Sequence, residues 1–169
     1  MLIGGEMKIA VISDTHMSVP NNILIKEFES TLYDMDAIFH LGDYTHEDVY
    51  LYLNSHPRFF GVRGNMDFGS WTQNIPSQQE ISLNNIKFGF LHGYDLDFSN
   101  IERDITRRFS DDVNFLFFGH THMRFFKEVS KTKYILNPGS FTYAKGNPKG
   151  YAILEFNDIK HIKLEWKNL

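Results

Sequence analysis

The 169-residue chain contains no cysteine. That absence removes disulfides, thiolate-ligated zinc and thiol nucleophiles together, and it fits a reducing compartment. Any metal has to sit on His, Asp, Glu or Asn. Also missing is any run of about 18 uninterrupted apolar residues, so no membrane-spanning helix is expected. The N-terminus shows neither the basic nor the apolar region of a secretory signal, and the expected location is the cytoplasm. Charge of one sign is scarce as well: 17 Lys and Arg against 21 Asp and Glu leave a formal net charge of −4. No segment gathers basic residues into a track for a phosphate backbone, so nucleic acid is not expected as a partner. No long Pro-, Gly- or Ser-rich tract interrupts the chain, which excludes a collagen-like repeat or a disordered tail.

What is present suits one compact unit. Apolar side chains make up 42% of the residues and aromatic ones 15%. A chain of this length can bury about 68 to 70% of its unfolded surface. We expect one domain over residues 1–169, with residues 1–6 read as an upstream start or a cloning remnant, because the first strand pattern begins at Met7. Lys8–Ser13 (KIAVIS) is a short β-branched run of the kind buried on both faces. Leu24, Phe28, Leu32 and Met35 recur at helical spacing and predict a helix over Ile23–Met35. Strands are expected at Ala37–Leu41 and Phe59–Val62, with a helix at Glu47–Leu53 between them. A hairpin follows, Glu80–Leu83 and Ile86–Leu91, turning at Asn84-Asn85 because Asn tolerates positive φ. Ser99 and Glu102 have the spacing of a capping box and predict a helix over Ser99–Phe109. Val113–Phe118 is an apolar strand. Short strands then follow at Phe125–Val129, Tyr134–Leu136, Tyr151–Phe156 and Ile159–Trp166, the last two joined at Asn157-Asp158. The pattern suggests two packed sheets flanked by helices.

The polar residues at the strand ends carry the chemistry. Asp14 and His16 follow the first strand, Asp43 the second, Asn65 the third, His92 the hairpin, and His120 with His122 the VNFLFF run. Ligands of open α/β sheets bind beyond the carboxyl ends of the strands, so these seven side chains should converge there. Neutral imidazoles mixed with hard oxygens suit Mn²⁺, Fe, Ni²⁺, Co²⁺ or Zn²⁺ better than Mg²⁺ or Ca²⁺ alone. Seven ligands exceed one ion's needs and match two sites that share a carboxylate. The other histidines, His40, His46, His56 and His161, match no motif and are read as packing or surface residues. Arg103, Arg107 and Arg108 are read as a solvated helix face ahead of a substrate-phosphate contact, and Tyr94, Asp95 and Asp97 equally as a polar loop or as the mouth of the pocket.

Taken in order, Asp14-Thr15-His16, Gly42-Asp43, Gly64-Asn65, His92-Gly93 and Gly119-His120-Thr121-His122 resemble the signature of the calcineurin-like metallophosphoesterases. The likeness spans Lys8 to about Gly139. The short chain and Asn137-Pro138-Gly139-Ser140 resemble the small single-domain phosphodiesterase branch found in bacteria and archaea. The resemblance implies a four-layer α/β/β/α sandwich. It assigns Asp14, His16 and His122 to one ion, Asn65, His92 and His120 to the other, and Asp43 to the bridge. It also implies two divalent ions, Mn²⁺ first and Ni²⁺, Co²⁺, Fe or Zn²⁺ as alternatives. The implied reaction is hydrolysis of a small phosphate diester by a bridging hydroxide, with Asp43 and Asn65 in direct catalytic roles.

One position departs from the wider superfamily: Met66 stands in Gly64-Asn65-Met66-Asp67 where many members have a histidine that protonates the leaving oxygen. Methionine cannot donate a proton, and positioned general acids are worth about 10²- to 10⁴-fold. Asp67 and a metal-bound water are the candidate replacements. Two other readings compete with the phosphodiesterase. A non-catalytic scaffold like the retromer subunit of this fold would have no chemical need for seven intact ligands. A nuclease would need a longer chain and more positive charge. Aromatic-rich surfaces suggest a homodimer or tetramer.

Overall fold

The computed structural model describes residues 6–169. Residues 1–5 of the expected upstream segment lie outside them. Among the described residues, ten strands form two five-stranded sheets. The first is built from β1 (Met7–Ile12), β2 (Ala37–His40), β3 (Phe59–Gly61), β9 (Gly150–Asp158) and β10 (His161–Asn168), in the order β10-β9-β1-β2-β3. The second holds β4 (Gln78–Leu83), β5 (Ile86–Leu91), β6 (Phe115–Phe117), β7 (Arg124–Ser130) and β8 (Lys133–Pro138), in the order β4-β5-β6-β8-β7. β1, β2 and β3 run parallel, as do β5, β6 and β8, and antiparallel strands complete each sheet. The helices α1 (Asn22–Ser30), α2 (Glu47–Leu53) and α3 (Ile101–Thr106) are short.

The strand patterns explain the layering. On β1, Ile9 and Val11 face the layer between the sheets, while Ala10 and Ile12 face α1 and α2. Successive strand side chains point to opposite faces, so a run without polar interruptions is buried twice. Between the sheets lies an aromatic block in which Phe39 packs against Phe88, Phe90 and Phe117 with ring centroids 5.0 to 5.3 Å apart. Leu24 and Phe28 of α1 and Val49 and Leu53 of α2 cover the outer face of the first sheet. Ile105 of α3 covers Leu116 and Ile135 on the outer face of the second. The result is the expected α/β/β/α sandwich.

Several element boundaries differ from the sequence reading. The helix expected to Met35 stops at Ser30. Thr31 leaves helical geometry at φ −140°, and Leu32–Asp34 form a 3₁₀ turn that still buries Leu32. The Ser99–Glu102 capping box does not form: Phe98–Asn100 is a 3₁₀ turn in which the Asp97 side chain accepts the Ser99 N–H, and Glu102 pairs with Lys127 of β7. The final turn falls later than Asn157-Asp158, because the Asp158 carboxylate accepts from the Lys160 and His161 amides and moves the corner onto Ile159-Lys160. The Asn84-Asn85 turn is as read, with both residues at positive φ.

Candidate metal centre

Because the parallel strands of both sheets end on one edge, the seven side chains meet there. Asp14, His16, Asp43 and Asn65 come from loops after β1, β2 and β3, and His92, His120 and His122 from loops after β5 and β6. Five of the seven, Asp14, His16, Asp43, His120 and His122, have φ between 41° and 64°. Non-glycine residues rarely adopt this left-handed backbone. Crossing backbone bonds hold it: the Asp14 amide donates to Gly42 O at 3.0 Å, the His16 amide to Asp43 O at 3.0 Å, and the Gly119 amide to His92 O at 2.9 Å. Glycine is required where these loops touch. A Cβ at Gly64 would overlap the Asp43 carboxylate, and one at Gly119 would overlap the Ser13 hydroxyl.

The side chains then present acceptors to one another. His122 Nε2 lies 3.1 Å from Asp14 Oδ1, and His16 Nε2 lies 3.4 Å from His122 Nε2. Asp43 Oδ2 is 3.6 Å from His16 Nε2 and 3.3 Å from His92 Nε2, so this carboxylate stands between two groups. Asn65 Oδ1 is 3.0 Å from His92 Nε2 and 3.1 Å from His120 Nδ1. Two sets of ligand atoms fall within 4.8 Å of one another: Asp14, His16 and His122, and Asp14, Asp43 and His92.

Two features of this arrangement fit divalent cations. Asp14 Oδ2 accepts from the Ser13 hydroxyl and the His120 amide, whereas Asp14 Oδ1 is buried without a hydrogen-bond partner. An orphaned buried carboxylate oxygen is costly unless a cation meets it. His92 places Nδ1 2.8 Å from the Leu41 carbonyl, which it can contact only by donating, so the lone pair of its Nε2 faces the Asp43 and Asn65 oxygens. A proton or a metal has to separate those acceptors, and such second contacts are how ligating histidines are oriented.

The electrostatics agree. Burial works to raise the Asp14 and Asp43 carboxyls, but the neighbouring imidazoles outweigh it and hold both below the usual carboxylate range. The Asp14 carboxylate, 3.6 Å away, raises His16 above the ordinary histidine value. Burial lowers His92, and its contact with Asp43 more than reverses this. His120 is lowered by burial.

Four residues brace these loops in roles the sequence did not show. Asp67 accepts from the amides of Asp43, Thr45 and Gly64 at 2.7 to 2.9 Å, so both oxygens are committed to clamping the β2 and β3 loops. It is a positioning residue, and the expectation that it replaces the missing proton donor is set aside. His40, read as packing, accepts the Gly42 amide on Nδ1 and turns Nε2 to Thr15 Oγ1 at 3.2 Å, under a stacked Tyr44 ring. Asn137 donates to Gly119 O at 2.7 Å and to Thr121 Oγ1 at 3.0 Å, bracing the loop that carries both late histidines. Ser140 Oγ donates to Asp14 O at 2.9 Å. The remaining residues lie away from the centre. Arg107 and Arg108 pair with Asp104 and Asp95, His46 is exposed, and His161 pairs with Asp158.

An α/β/β/α sandwich with a His, Asp and Asn cluster at one strand edge defines a metal-dependent phosphoester-handling class. The sequence profile of the calcineurin-like phosphoesterase superfamily domain matches residues 7–159, and the chain belongs to that superfamily. It is 32% identical over 165 residues to a probable metallophosphoesterase of Methanocaldococcus jannaschii, covering 96% of this chain and 83% of that protein. A phosphodiesterase of the same organism is 28% identical over 174 residues, covering 94% of this chain and all of that one. Among solved structures, wild-type Vps29 of Entamoeba histolytica complexed with Zn²⁺ superposes with a TM-score of 0.72 at 25% identity, covering 94% of this chain and 97% of Vps29. Among the described residues no helix is long and apolar enough to cross a membrane.

Proposed function

We propose that the chain is a two-metal phosphodiesterase of small phosphate diesters, acting in the cytoplasm. The observation that carries this reading is the cluster of imidazole nitrogens and carboxylate and amide oxygens turned on one another, in which Asp14 Oδ1 is buried with no hydrogen bond of good geometry and His122 Nε2 stands 3.1 Å away. Asp14, His16 and His122 would hold one ion, Asn65, His92 and His120 the other, and Asp43 would touch both. When bound, such ions supply positive charge against the phosphoryl oxygens and acidify water. The protein's own part is positional. The left-handed loops fix the ligand atoms, His40 and Asp67 lock the loop bearing Asp43, and Asn137 and Ser140 lock the loops bearing His122 and Asp14. Asn65 offers Oδ1 inward and keeps its amide N–H₂ to donate to a phosphate oxygen.

Leaving-group protonation is the missing step. Met66 cannot supply a proton, and both Asp67 oxygens accept from backbone amides. Turnover should therefore depend on leaving groups stable as anions. With Mn²⁺ present, aryl diesters should react at least about 10²-fold faster than alkyl diesters, and alkyl monoesters should be poor substrates. A leaving-group series run with elemental analysis tests this. Two ions per chain with no turnover of any ester would leave a non-catalytic scaffold, in line with the likeness to Vps29. Alkyl monoesters turning over as fast as aryl diesters would overturn the missing-acid argument.

A further inference from the structure

Beside the cluster lies a cleft of about 450 Å³ whose walls are Phe98, Ile101, Phe118, Met123 and Phe125, with Lys145 among the lining. His120 belongs to this lining and also stands 3.1 Å from Asn65 Oδ1, so the cleft opens directly onto the candidate metal centre. Phe98 is 43% exposed and Met123 51% exposed. Large apolar side chains left in water next to a polar cluster mark a binding surface more often than a packing defect. The Phe98 ring is also oriented: it lies 14° from the plane of His120 at 6.2 Å and 34° from Phe118 at 6.1 Å. Three rings thus form a step leading from the metal ligands to the cleft, and Lys145 and Arg124 add positive charge, with the Thr121 hydroxyl, to a wall that is mostly apolar.

We infer that this cleft receives one ester arm of the substrate and that the arm is a planar aromatic group, a nucleobase or an aryl ring, laid on Phe98 with Met123 across it. The phosphate end would meet the metal ligands while the ring is desolvated against Phe98, Phe118 and Phe125. An alkyl arm would leave the Phe98 face in water and gain far less, since stacking a base on an aromatic side chain is worth roughly 5- to 150-fold in affinity. The inference rests on the diesterase reading for the orientation of the phosphate, but the affinity of the cleft is measured separately from turnover.

The test is calorimetric titration of the Mn²⁺-loaded protein with three monoesters of equal charge: thymidine 5′-monophosphate, phenyl phosphate and methyl phosphate. At least one aromatic ester should bind about 10-fold or more tightly than methyl phosphate. Phe98→Ala should bring that ratio close to one, and Phe98→Trp should keep it, with metal content checked in each protein. A gain for the nucleotide alone identifies a nucleobase as the arm, and a gain for both identifies the ring itself. Equal affinities for all three on the wild type, or a ratio untouched by Phe98→Ala, would overturn the inference. Turnover is followed in parallel with methyl p-nitrophenyl phosphate. A Phe98-dependent aromatic preference without turnover would sink the diesterase reading and leave the cleft standing, while turnover without that preference would do the reverse.

Discussion

Five of the seven candidate ligands occupy backbone that costs a side-chain-bearing residue about 1 to 2 kcal/mol each, and their φ values near 60° locate that cost. At His122, φ 59°, a glycine should relieve it and an alanine should not. Measured by urea unfolding without metal, His122→Gly should be about 1 kcal/mol more stable than His122→Ala, although both lose the imidazole. Equal stabilities would mean the loop relaxes when the side chain goes. His40 gives a second expectation of the same kind. Burial lowers its pKa to about 3, so it is neutral in the folded protein, while the unfolded chain takes up a proton below about 6.5. Its stabilising contribution is therefore complete above pH 6.5 and is lost as pH falls towards 3, by about 1.4 kcal/mol per unit. Replacing it in His40→Asn, which keeps an acceptor for the Gly42 amide, should flatten the stability profile of the metal-free protein between pH 6.5 and 4. A variant with the wild-type slope would show that other groups set it.

The loop after β6 shows how elements rather than single residues hold the centre. Asn137, at the end of β8, satisfies Gly119 O and Thr121 Oγ1 and accepts the Gly139 amide at 2.9 Å, all in a buried setting. Asn137→Ala would strand a carbonyl and an amide, each costing about 1 to 3 kcal/mol. The expected outcome is a clear drop in stability together with weaker metal binding in an isothermal titration. Stability lost with metal affinity intact would mean the brace does not position His120 and His122. This also explains what could be read in advance. Strand cores were legible because β1, β2 and β6 are buried on both faces and carry uninterrupted apolar runs. The convergence of the seven candidate side chains was legible because polar side chains at strand ends have one place to go. The bracing roles of Asp67, His40 and Asn137 were not, because that work is done on backbone amides and carbonyls, whose positions follow from loop geometry rather than from residue type. The α1 end and the false capping box at Ser99 were missed for a related reason: Thr31 and Asp97 supply competing local hydrogen-bond geometry that periodicity does not register.

The seven side chains are divided between the sheets, Asp14, His16, Asp43 and Asn65 on one and His92, His120 and His122 on the other. Ions held by both sets add their binding free energy to the folded state alone. At 100 times the dissociation constant one site contributes about 2.7 kcal/mol, or about 5 to 10 °C in Tm for a chain of this size. Mn²⁺ should raise Tm over the chelated protein by that amount or more, and Asp43→Asn should shrink the shift, since that carboxylate lies within 3.6 Å of an imidazole from each sheet. An unchanged Tm at full metal occupancy would mean the ions bind the unfolded chain as tightly as the folded one, and would overturn a site assembled by folding. With ions bound, the same division would make the centre a rivet through a laminate. The phenylalanine layer glues the two boards over their area, and the rivet pins one edge against shear. A descendant that lost all turnover would still have a mechanical reason to keep its histidines and aspartates, so intact ligands in a relative of this chain report on fastening before they report on chemistry.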